Sequence, residues 1–137
     1  MLRDVHRQRL DKIEGMREEI LKAGEEAQEM KRLPDWIVDK LVDEGFFRFA
    51  LPTELGGDNA SSMETIEVLE HLGAIDASVS WNVMLGSEIN AMAAGGMNAD
   101  LAKKIYVDNP KVVMCGGGGP GTTPPRAEKQ KDGSVKV

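Results

Sequence analysis

Apolar positions recur at helical spacing through most of the chain. Ile13, Met16, Ile20, Ala23, Ala27 and Met30 stand alternately 3 and 4 residues apart, with Glu, Lys and Arg on the other faces. That spacing sets them on one stripe of a helix. No proline interrupts Leu2 to Met30, so one helix is expected there, packed by a thin edge on a bundle. The heptad pattern is too short to favour a coiled coil. Pro34 suits the first residue of a second helix, with Trp36, Ile37, Leu41 and Val42 on its buried face. Gly45 ends it, and Phe46 supplies the apolar contact that follows a glycine C-cap. The loop Thr53 to Asp58 carries Gly56-Gly57, which predicts positive φ or a close backbone approach.

Ser61-x-x-Glu64 is a capping box that opens a third helix, with Ile66, Leu69 and Leu72 inward. Asp76 caps a fourth helix through about Ala94, in which Glu88 is the lone charge. Trp81, Met84, Leu85, Ile89, Met92 and Ala93 leave this helix almost no polar face, so a central position is expected. Asn98 caps a fifth helix with Leu101, Ile105 and Tyr106 inward, stopped at Asn109-Pro110. Beyond it the pattern becomes extended. Lys111 to Cys115 reads as a strand, and Ala127 to Lys131, Asp132-Gly133 and Ser134 to Val137 read as a hairpin. The expected fold is therefore mainly α: a helical domain of about five helices at 1–110, then a short β segment at 111–137. Two or three short strands cannot bury a sheet face alone, so the second part reads as the opening of a β-domain.

Composition narrows the function classes. The chain has 137 residues, 41% of them hydrophobic, and a net charge of −6. Residues 49–110 hold 9 acidic and 2 basic side chains. That balance opposes a phosphate-tracking nucleic-acid binder. No apolar run approaches membrane-spanning length, and no signal peptide is visible, so no membrane association and a cytoplasmic location are expected. One cysteine, Cys115, excludes an intrachain disulfide, and with only His6 and His71 beside it no metal site is expected. Gly116-Gly117-Gly118-Gly119-Pro120-Gly121 contains G-x-G-x-x-G by letter. The dinucleotide fingerprint needs a helix to open there, and Thr122-Thr123-Pro124-Pro125 does not begin one.

An ordered series of short motifs runs nearly the length of the chain. It comprises Arg32-Leu33-Pro34, Leu41-Val42-Asp43-Glu44-Gly45-Phe46-Phe47-Arg48 and Leu51-Pro52-Thr53-Glu54-Leu55-Gly56-Gly57. Glu67-Val68-Leu69-Glu70 and Ile75-Asp76-Ala77-Ser78-Val79-Ser80-Trp81-Asn82 follow. In this order they resemble the N-terminal part of the acyl-CoA dehydrogenase superfamily. The Ser-Val-Ser-Trp stretch is closer to its flavin-dependent monooxygenase branch. Where the dehydrogenase branch carries Thr-Glu-Pro-x-x-Gly-Ser-Asp, this chain has Gly118-Gly119-Pro120-Gly121-Thr122-Thr123.

The resemblance implies an N-terminal helical domain followed, in full-length members, by a β-domain and a C-terminal helical domain. It also implies FAD or FMN and an oligomer, with either acyl-CoA dehydrogenation or hydroxylation of an aromatic substrate as the reaction. A monooxygenase would draw reduced flavin from a partner reductase. The superfamily's catalytic Glu and His lie in later segments, and His71 matches neither, so no catalytic residue is assigned. Trp81 and Cys115-Gly116-Gly117 correspond to positions that approach the flavin. An indole gives an isoalloxazine ring flat apolar contact, and glycine backbone comes close to ring oxygens. Core packing for Trp81 and a plain loop for the glycines remain the alternatives. A non-catalytic helical association module is the second functional reading.

Overall fold

In the computed structural model, residues 3–116, 128–132, 135 and 136 are described. Among these residues six α-helices and a 3₁₀ turn precede a minimal pair of strands. The helices are α1 (Asp4–Gly15), α2 (Arg17–Met30), α3 (Asp35–Asp43), α4 (Ser62–Gly73), α5 (Ala77–Gly96) and α6 (Ala99–Tyr106). The strands β1 (Glu128–Lys129) and β2 (Val135–Lys136) pair antiparallel, at the place where a hairpin was expected.

The first helix of the sequence reading is two. Met16, at φ −98° and ψ 5°, divides α1 from α2. Its amide is shared between the carbonyls of Lys12 and Ile13, so the ladder tightens for one step beside Gly15. Such a step bends a helix without ending its hydrogen bonding. The bend lets α1 lie along α4 while α2 lies along α5. The apolar stripe survives it over Ile13, Met16, Ile20 and Ala23, which are all buried, whereas Met30 at the end of α2 is exposed. They join Ile37, Leu41, Phe46, Phe49, Val68, Leu72, Val79 and Val83 in the main core. A smaller core holds Leu51, Leu55, Ala102 and Tyr106.

Local chemistry sets the element ends as the sequence indicates. Gly45 has φ 76°, and the Phe46 amide donates to the Leu41 carbonyl while the Gly45 amide donates to the Val42 carbonyl. This is the Schellman closure of α3, and it drives Phe46 into the core. Ser61 Oγ accepts from the Glu64 amide while the Glu64 carboxylate accepts from the Ser61 amide, completing the capping box of α4. Asp76 and Asn98 cap α5 and α6 through the amides of Val79 and Leu101. Gly56 has φ 81°, and a Cβ on Gly57 would overlap the Leu51 carbonyl oxygen. The pair therefore meets both demands a double glycine suggests.

Several side chains expected inward face out. Trp36, Ile66, Trp81, Met92 and Leu101 are exposed. Trp36 keeps its indole N–H where Glu26 Oε2 accepts it at 2.9 Å, with Lys22 over the ring. The largest departure is α5. Its buried row is Val79, Ser80, Val83, Gly86, Ser87 and Asn90, small and polar, whereas Trp81 and Met92 are 59% and 76% exposed. The helix packs by its narrow face because α2 and α4 approach it closely. Ser80 Oγ donates to the Leu69 carbonyl of α4 at 2.8 Å, and a Cβ on Gly24 of α2 would overlap the Asp76 carboxylate. The run Lys111 to Cys115 forms no strand among the described residues.

The α4 cap also carries a charge linkage. Glu64 accepts from Arg3 Nε and Nη2, both at 2.6 Å. The hydrogen bond from Arg3, followed by that from the Ser61 amide, holds the Glu64 carboxyl down at about 2, against an ordinary 4.5. A depressed carboxyl stabilises the fold above its unfolded pKa, and the contribution drains away as pH falls through the folded value. Glu64→Gln should therefore lower the urea midpoint at pH 7 and flatten its decline between pH 4.5 and about 2. Equal slopes for wild type and variant in urea titrations across that window would contradict the linkage.

Candidate functional site

The segment leaving α6 is gripped from two sides. Arg48, at the end of the Phe46-Phe47-Arg48 run, is buried, and among the described residues it has no carboxylate partner. Its guanidinium instead donates to backbone carbonyls: Leu55 at 2.5 Å, Tyr106 at 2.8 Å and Pro110 at 2.6 Å. Leu55 ends the 3₁₀ turn and Tyr106 ends α6, so the cation meets the negative ends of two helical turns. Burial pulls the guanidinium below its ordinary pKa, opposed by the neighbouring Tyr106. Burial raises the Tyr106 phenol, opposed by Arg48. The phenol therefore stays a neutral donor, and its hydroxyl donates to the Asn90 carbonyl at 2.9 Å.

On the other side stands the inward row of α5. Asn90 is fully buried. Its Nδ2 donates to the Phe47 carbonyl at 2.8 Å, and its Oδ1 accepts from the Met114 amide at 3.0 Å. Val112 and Met114 pack on the smaller core while Val113 packs on the main one. The residues thus alternate as in a strand, although a side chain replaces the neighbouring strand. One turn before Asn90, Gly86 admits this packing: an added Cβ would overlap the Phe47 ring and lie 3.1 Å from Val113 Cγ1.

This places the residues singled out from sequence. Cys115 and Gly116 follow the gripped segment and are exposed. A Cβ on Gly116 would lie 2.9 Å from Ile89 Cδ1, so this backbone runs over the C-terminal half of α5. Gly117 lies outside the described residues. Trp81 is eight residues before Ile89, about 12 Å along the helix axis at the usual rise. Its ring is open to solvent rather than packed in the core.

Between α4 and α5 runs an open groove of about 600 Å³, lined by Ile66, Leu69, Met84, Ser87, Ala91 and Met92 among others. Glu88 is the one charged side chain among the described residues that line it. No cluster of metal-ligating side chains occurs among the described residues. No helix among them is long and apolar enough to cross a membrane.

The helical body described above agrees with what family comparison finds. The model of the acyl-CoA dehydrogenase N-terminal domain matches residues 6–104. The chain belongs to that family. Indole-3-acetate monooxygenase of Acinetobacter baumannii is 31% identical over 101 residues, which cover 74% of this chain. The chain spans 24% of the length of that relative. No solved structure matches.

Sequence reasoning missed Arg48, Asn90 and Tyr106 as a polar unit. The available signal was the row Val79, Val83, Gly86/Ser87 and Asn90, also at helical spacing, on the face opposite the large residues. Arg48→Lys tests the grip. A lysine keeps the charge but loses the planar fork, leaving buried carbonyls of Leu55 or Tyr106 unpaired. The expected cost is about 2–3 kcal/mol of unfolding free energy in urea titration. A cost below about 0.5 kcal/mol would show that the carbonyls need no guanidinium.

Proposed function

We propose that this chain supplies the N-terminal helical domain of a flavin-dependent oxidoreductase of the hydroxylating kind, with an aromatic substrate. The observation that carries this reading is the similarity to a monooxygenase over residues that include α5. Two features of the chain support it. The α4–α5 face offers an apolar groove with one charge, suited to a flat or extended apolar molecule. The Cys115-Gly116 backbone is exposed, with Ile89 of that helix against Gly116.

A flavin ring fits these residues as an edge. Gly116 would let its backbone meet the ring, Ile89 would back it, and Trp81 offers further flat apolar surface. When bound, the flavin would supply the electrons of the oxidoreduction. The residues of this chain would bind one side of the ring and keep water from it. FAD and FMN suit this wall equally, and a flavin reductase is the partner that such a reaction calls for. A cytoplasmic setting and a division into domains at 1–110 and 111–137 complete the proposal.

The test is a chimera in which residues 6–116 replace the matching part of the Acinetobacter enzyme. We expect it to hold flavin and to form hydroxylated product from an aromatic acid when reduced flavin is supplied. A chimera with native helix content that holds no flavin and forms no product would overturn the reading.

The association module remains as a second reading because of one observation. Met63, Ile66, Trp81 and Met92 are all exposed on the neighbouring helices α4 and α5. Large apolar side chains left open to solvent favour contact with another surface. Sedimentation of the 137-residue chain at micromolar concentration should show dimers or larger species, reverting toward 14.9 kDa monomer in a Trp81→Glu, Met92→Glu double variant. A monomeric wild type would remove this reading.

A further inference from the structure

We propose that Asn90 is a positioning residue that sets the register of the segment reaching the flavin edge. Its side-chain amide fixes residues 112–116 against α5. The proposal deepens the flavin-wall reading of Cys115 and Gly116 and rests on it for its functional meaning, while the geometry stands on its own.

The Phe47 carbonyl can only accept, and the Met114 amide can only donate. The space between them therefore needs one donor and one acceptor on a short, stiff side chain. Asn90 supplies both, at 2.8 and 3.0 Å, from a fully buried position. Aspartate would lack the donor, serine cannot reach both partners, and glutamine adds a methylene to a closed site. Among the described residues the Met114 amide has no backbone partner, whereas the Val112 amide turns back to the Asn109 carbonyl at 3.1 Å. Asn90 is thus the hydrogen-bonding neighbour of this stretch.

A slip by one residue would present the amide of Val113 or Cys115 to Asn90 Oδ1. It would exchange the two faces, sending Val113 toward the smaller core and turning Cys115 about. Three further contacts resist that slip. The Tyr106 hydroxyl lies 3.4 Å from Met114 Sδ while it donates to the Asn90 carbonyl. Gly86 receives Val113, and Ile89 lies under Gly116. The three positions 86, 89 and 90 occupy one turn of α5, so one turn of helix defines where the exit segment runs.

The test uses the 137-residue chain in solution. A long-range NMR cross-peak between the Met114 amide nitrogen and the Asn90 side-chain carbonyl carbon should be visible in the unaltered protein. Asn90→Ser should then accelerate amide exchange at Met114 by about tenfold relative to Val68 and Val79 in the core. Exchange at Met114 that rises only in step with those core amides would overturn the proposal. So would absence of the cross-peak where the helical ones are seen, a result that needs no variant to fold. The flavin reading fails separately. A residue 6–116 chimera without flavin, with the cross-peak intact, counts against the wall and leaves the register role standing.

Discussion

A buried cation held by backbone carbonyls organises this domain. Arg48 sits where the 3₁₀ turn, the end of α6 and the exit segment converge, and it satisfies carbonyls that those ends leave open. Desolvating a guanidinium is costly, so the site exists only when all three pieces are present. The reverse also holds. Without the cation, buried carbonyls at two helical ends would lack donors. Arg48 therefore couples elements nearly sixty residues apart, and the Tyr106–Asn90–Met114 chain extends that coupling onto α5.

The polar centre explains why α5 is turned as it is. A helix rich in Trp, Met, Leu and Ile would bury its large side chains if burial alone decided. Here the row containing Gly86 and Asn90 is inside, since only small residues admit Phe47 and Val113 and only an amide serves Phe47 and Met114 together. The large side chains are left to the groove and the outer face. A domain built this way is stable through its small residues and presents its large ones.

The same point marks what the sequence made legible. Helix starts and stops could be read because their chemistry is local: Ser61 with Glu64, Asp76, Asn98, and Gly45 before Phe46. The glycine pair at 56–57 was legible for the same reason. The bend at Met16 was not, because nothing in Gly15-Met16 forces it and the requirement comes from α4 and α5. The facing of α5 and the grip on residues 112–114 depend on partners far along the chain, which periodicity does not encode. The strand-like alternation of Val112 to Met114 was visible, yet its hydrogen-bonding partner is an asparagine side chain. Of the candidate site, Cys115 and Gly116 fall beside α5, whereas Trp81 lies apart along the helix.

Two of the large side chains left outside, Met63 and Met92, are thioethers open to solvent, while Met16 is enclosed in the core. Peroxide reaches exposed thioethers first and converts them to polar sulfoxides. The outer surface of α4 and α5 is thus chemically less durable than the fold beneath it: an oxidant can strip away its apolar character while the packed interior keeps its shape.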